Sequence, residues 1–134
     1  MSMTLVDTNV VLDIFTDDPK SADRSIGRLD SAALKGSLTV NDAVYAELSL
    51  RFATIEALEA VLDEAGIAMA AMPRAAPFLA GKAFQRYRSA GGSRTGAPPD
   101  FFIGAHAAIS GWTLLSRDAQ RCRTYFSTID FVTP

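Results

Sequence analysis

Short apolar runs alternate with longer helical segments along this chain, and that alternation limits its possible folds more than any other feature. "TLV" (4–6), "SLTV" (37–40), "IAMAAM" (67–72), "WTLLS" (112–116) and "DFVT" (130–133) have the length and apolar content of strands. Between them lie segments with helix signals. In 16–36, Asp18 is an expected N-cap, Pro19 fits the first turn and Gly36 follows the last. The stretch 41–52 is capped by Asn41 or Asp42; 54–66 starts at Thr54 and stops at Gly66; 73–88 is helical. "PDFFIGAHAAIS" (99–110) opens with Pro99 and stops at Gly111, "DAQRCRTYF" (118–126) is a short helix, and "SAGGSRTGAPP" (89–99) is the one obvious loop. This order predicts an α/β sandwich built on a mostly parallel sheet of about five strands, in one domain covering 1–134.

Ligands of open parallel sheets gather beyond the C-terminal strand ends. Asp7 directly follows "TLV", and Asp118 follows "WTLLS" after Arg117, so both are expected at one sheet edge. A cap is the competing reading for each; for Asp7 it would be the cap of a helix beginning at Thr8. Glu47 lies beside the row Val44, Leu48 and Phe52, at the margin of its helix's buried face. Asp100 is the sole acid of a helix apolar nearly all round, sharing a face with Ile103, Gly104 and Ala107. A first-turn carboxylate gains ~0.3–1 kcal/mol from the helix dipole, which explains the residue type but not a meeting with the other acids.

If the four converge, they cannot all remain ionised unaided, because two unit charges ~4 Å apart repel by about 4 kcal/mol at an effective dielectric of ~20. Either protons or a cation must sit among them. Oxygen donors without Cys or His suit Mg2+ or Mn2+ rather than zinc. Such an ion can hold a phosphodiester, acidify a bound water and stabilise a leaving oxygen. Thr8, Asn9 and Ser116 are the neutral polar neighbours, with Asn9 placed to steady carboxylates.

Composition removes other chemistries. The single histidine, His106, rules out a two-histidine nuclease and is read as a helix residue without catalytic duty. One cysteine, Cys122, forms no internal disulfide, no apolar run reaches the ~20 residues of a membrane span, and no signal-peptide pattern opens the chain; the cytoplasm is the expected compartment. The net charge of −2 hides an asymmetry: residues 1–81 hold 6 Lys+Arg against 12 Asp+Glu, whereas 82–123 hold 7 against 2. The basic half either faces phosphates or is a solvated surface; on charge alone, Arg94, Arg117 and Arg121 are the expected phosphate contacts.

"VDTNVVLD", "AVYAEL", "PDFFIGAHA" and "GWTLLSRD" together resemble the PIN-domain family over essentially the whole chain, and within it the VapC-type toxins of bacterial toxin–antitoxin pairs. The resemblance implies a three-layer α/β/α fold and a Mg2+- or Mn2+-dependent ribonuclease. Its acidic positions fall on Asp7, Glu47, Asp100 and Asp118, and its supporting polar positions on Asn9 and Ser116, a serine where threonine is usual. It also implies an antitoxin partner, an RNA substrate and a homodimer. The readings that compete are a housekeeping nuclease of the same fold and an inactive binding module. A phosphatase with an aspartate nucleophile fits poorly, since Asn9 stands where its general acid is needed.

Overall fold

The computed structural model describes residues 3–16, 19–92, 98–117 and 120–134, the side chains of 120 and 121 excepted. Five strands, β1 (Thr4–Val6), β2 (Leu38–Val40), β3 (Ile67–Met69), β4 (Thr113–Leu115) and β5 (Asp130–Val132), form one sheet in the order β3-β2-β1-β4-β5, with every pairing parallel. Seven helices are described: α1 (Thr8–Phe15), α2 (Ala22–Lys35), α3 (Asp42–Ser49), α4 (Ile55–Ala65), α5 (Ala75–Ser89), α6 (Pro99–Ser110) and α7 (Gln120–Tyr125). This is the α/β/α arrangement expected from the alternation. None of the described helices is long and apolar enough to cross a membrane.

The helix signals act as caps. Asn41 Oδ1 accepts from the Val44 N–H at 3.0 Å, and Thr54 Oγ1 accepts from Ala57 N–H at 3.1 Å. Gly66 (φ 71°) and Gly111 (φ 67°) end α4 and α6 in the left-handed conformation. Each returns the chain at once toward a strand. One start differs from expectation: α2 begins at Ala22 after Ser21, and Pro19 and Lys20 lie in the preceding turn. The expected cap Asp18 lies outside the described residues.

Leu5, Val6, Val40, Leu114 and Leu115 of the central strands are fully buried, as expected for a parallel sheet covered on both faces. Val10, Val44, Leu48, Phe101 and Ile103 supply the helical side of the core. Burying one such side chain stabilises by ~1.5–3 kcal/mol. Phe84, Tyr87, Phe101 and Tyr125 interlock α5, α6 and α7 through ring pairs 5.6–5.8 Å apart. Gly104 lets α6 approach the Phe126 ring, where an added Cβ would lie 2.7 Å from the ring.

Sheet order fixes where a site can form. The chain leaves β1 toward β2 and β3 and then returns to the other side of β1 with β4. The strand order therefore reverses between β1 and β4, and the crevice at their C-terminal ends is the place for a ligand. Register aligns Val6 with Leu115, so Asp7 and Ser116 leave the sheet side by side.

Candidate active site

Asp7 stands at this crevice, where it caps a helix and joins two strand ends. It is the N-cap of α1, with Oδ1 accepting the Thr8 N–H at 2.7 Å. Its Oδ2 accepts the Ser116 hydroxyl at 2.6 Å, and Asn9 Nδ2 reaches both Asp7 Oδ2 and Ser116 Oγ at 3.4 Å. Asn9 Oδ1 in turn accepts the Arg117 N–H at 3.1 Å, and the Asp7 N–H donates to the Leu115 carbonyl at 2.9 Å. The ends of β1 and β4 are thus stitched together around one carboxylate.

Glu47 arrives from α3, half-buried at the margin of a face built on Val44 and Leu48. Its Oε1 accepts the Thr8 hydroxyl at 2.7 Å, so Thr8 links Asp7 and Glu47 through its backbone and its side chain. Asp100 arrives in the first turn of α6, a helix whose Phe101, Ile103, Gly104, Ala105, His106 and Ala107 are buried. The Cys122 thiol donates to the Asp100 carbonyl at 3.6 Å, fastening α7 to the start of that helix.

Burial, first of all, pushes the Asp7 carboxyl above its ordinary 3.8. The charges of Glu47 and Asp100 push it further, while the bonds from Ser116 and Thr8 pull it down. The net direction is upward. Glu47 and Asp100 therefore lie near enough for their charges to reach Asp7, but it is chiefly burial that keeps Asp7 from ionising as it would in water.

Donor chemistry fits a hard divalent cation: carboxylates of Asp7, Glu47 and Asp100, with hydroxyls of Thr8 and Ser116 holding two of them. Among the described residues, no group of three or more His, Cys, Asp or Glu is by itself drawn together enough to hold a metal ion. Asp118 lies outside the described residues, as do Arg94 and the side chain of Arg121. A cleft of about 500 Å3 opens beside Glu47, walled by Ala43, Ala46, Leu50, Met72, Pro99 and Phe102.

Arg117, expected to face phosphates, directs Nε to Asp13 at 3.0 Å while its side chain stays 45% exposed. Asp13 was not among the residues expected at the site, yet it is a buried acid bonded also by the Ser25 hydroxyl at 2.8 Å. Its signal was its place four residues after Asn9, on the same face of a helix otherwise apolar from Val10 to Phe15. His106 is buried and committed elsewhere. The Asn41 carbonyl oxygen serves the cap of α3, which leaves its Nδ2 to donate to His106 Nδ1 at 3.1 Å, so the ring proton sits on Nε2.

The sequence profile of the PIN domain matches residues 4–127. No curated protein sequence matches the chain. Among solved structures, the fold is similar to a chain of VapBC2 from Rickettsia felis bound to a promoter DNA fragment, with 17% identity, a TM-score of 0.73 and 98% of each chain covered. It is also similar to VapBC-1 from nontypeable Haemophilus influenzae, at 16% identity and a TM-score of 0.71 over 98% of this chain and 97% of that one. A toxin–antitoxin complex from Klebsiella pneumoniae gives 16% identity and a TM-score of 0.61, with 98% and 97% covered. At such identities the likeness is one of fold. The profile match, which leaves out only the two ends of the chain, assigns more: the protein belongs to the PIN domain family.

Proposed function

We propose that this protein is a Mg2+- or Mn2+-dependent endoribonuclease acting as the toxin of a toxin–antitoxin pair. The observation that carries the reading is Asp7, hydrogen-bonded across the sheet's switch point and driven up in pKa partly by Glu47 and Asp100. A fold that spends stability on burying a carboxylate within reach of two other acids gains if a cation is to be held there. PIN-family membership and the fold shared with VapBC and toxin–antitoxin complexes support the nuclease and toxin parts of the proposal.

Asp7, Glu47 and Asp100 would hold the cation, directly or through water, with Asp118 completing the set. When bound, Mg2+ or Mn2+ supplies charge stabilisation for the phosphodiester and lowers the pKa of a coordinated water. The chain's own groups do the rest. Thr8 steadies Glu47, and Ser116 and Asn9 fix Asp7, so that these two carboxylates are already oriented. His106 holds no proton needed by the reaction, being tied to Asn41 in the core. In the cell the protein would pair with an antitoxin that blocks the acidic crevice, and would act as a homodimer on RNA.

The test is cleavage of end-labelled RNA by partner-free protein with Mg2+, Mn2+ or EDTA. Cleavage that needs the divalent ion and disappears in Asp7→Asn and Asp100→Asn supports the proposal. A protein inert on RNA under all conditions, yet tightly bound to the product of an adjacent gene, would make it a binding module.

A further inference from the structure

We propose that Asp13 and Arg117 form a positioning pair, which sets the Asp7 carboxylate by clamping the end of β4 onto α1. The proposal rests on the reading of Asp7 as an acid of the reaction site. Asn9 and Asp13 lie one turn apart on the same face of α1, and Arg117 bonds both of them. Its backbone N–H donates to Asn9 Oδ1 at 3.1 Å, and its Nε meets Asp13 Oδ2 at 3.0 Å. Two bonds from one residue to two points on a helix fix direction as well as distance.

What they fix is Ser116. That residue lies just past the last residue of β4, where its N–H bond to the Val132 carbonyl at 3.1 Å continues the ladder. Its hydroxyl makes the 2.6 Å bond to Asp7, and Asn9, held from the other side by Arg117, reaches both partners only at 3.4 Å. Contacts of that length weaken steeply with a further small displacement. The setting of Asp7 therefore depends on the position of residues 116–117, and Asp13 is the anchor for it.

Asp13 is built as an anchor. It is 3% exposed, whereas the Arg117 side chain is 45% exposed. The Ser25 hydroxyl from α2 bonds the same Oδ2 that meets Arg117, so α2 braces the pair. A buried carboxylate that loses its cation becomes costly, which gives the fold reason to keep Arg117 in place. Arginine also matters for its fork: Nε serves Asp13 in a direction that the single ammonium of lysine does not reproduce.

The experiment uses the full chain carrying Asp13→Asn or Arg117→Lys, each checked for a cooperative melt. RNA cleavage kinetics are measured, together with the amide resonance of Thr8, whose N–H bonds Asp7 Oδ1. Positioning predicts that both variants lower kcat by on the order of ten- to a hundredfold, with KM within about twofold and the Thr8 resonance displaced. Arg117→Lys, at a half-exposed side chain, keeps the test alive if Asp13→Asn does not fold. A raised KM with unchanged kcat and a weaker salt dependence would make Arg117 a phosphate contact and overturn the proposal. An unmoved Thr8 resonance would overturn it as well. If wild-type protein cuts no RNA, the nuclease reading fails, while the Thr8 resonance still decides whether the pair sets Asp7.

Discussion

Replacing Ser116 by alanine removes one hydroxyl at the centre of the site. Ser116 is 1% exposed, and its hydroxyl donates to Asp7 Oδ2 at 2.6 Å, the length of a charge-assisted bond. Hydrogen bonds to charged groups contribute ~1.5–3 kcal/mol, against about 1 kcal/mol for neutral pairs. In the variant, Asp7 Oδ2 keeps, among the described residues, the 3.4 Å contact from Asn9. Because the Ser116 bond lowers the Asp7 pKa, its loss raises the native value further, while the unfolded value stays near 3.8. The native state then loses stability wherever wild-type Asp7 is ionised and little where the carboxyl is protonated in both states. Urea unfolding in EDTA at pH 7 should show a loss of ~1.5–3 kcal/mol, falling toward about 1 kcal/mol as the pH approaches 4. Ser116→Thr, which keeps the hydroxyl, should recover most of the difference. A loss of equal size at both ends of the pH range would refute the claim that the bond serves an ionised Asp7.

Asp7→Asn should raise the melting temperature at pH 7 in EDTA while abolishing RNA cleavage, since it removes a charge that burial, Glu47 and Asp100 all oppose. With its native pKa raised, Asp7 makes wild-type stability fall as pH rises from 3.8 through the native value, by ~1.4 kcal/mol per unit of elevation; urea titrations at several pH values should show that slope missing in the variant. Gly104→Ala should lower stability by ~1–3 kcal/mol, because the new Cβ meets the buried Phe126 ring at 2.7 Å and Cys122 Sγ at 3.3 Å; calorimetry reads it. His106, the chain's only histidine, should titrate by NMR below the ordinary 6.5, because burial disfavours its charged form, and its share of stability should be lost as pH falls from 6.5 through the native value. A midpoint at or above 6.5 would contradict the buried, Asn41-bound ring.

What was readable in the sequence followed from local rules. Strands of three residues were found because apolar runs stood between cap and stop residues such as Asn41, Thr54, Gly66 and Gly111. Asp7 and Asp118 were expected at one sheet edge because parallel strands share a direction; the Val6–Leu115 register sets Asp7 beside Ser116, and Asp118 lies outside the described residues. Glu47 and Asp100 stood out as acids at or among apolar faces, and the field on Asp7 links them to it. The rest depended on tertiary geometry. Whether Asp7 does more than cap a helix was open; it does cap α1, and its second oxygen is left to accept the Ser116 hydroxyl at the end of β4. Arg117 looked like a surface cation because charge alone carries no direction; only the fold brings Asp13, 104 residues earlier, against its Nε. The start of α2 was misjudged because Pro19 fits a turn as well as a helix start.

On the reading proposed above, the acids of this crevice together hold a hard divalent ion. Titration of Mn2+ into partner-free protein, followed by electron paramagnetic resonance of the free ion, tests it without reference to any RNA. Saturable binding by the wild type, lost in Asp7→Asn and in Asp100→Asn and weakened in Glu47→Gln, is the predicted result. Binding of equal strength in all four proteins, or none in any of them, would contradict it.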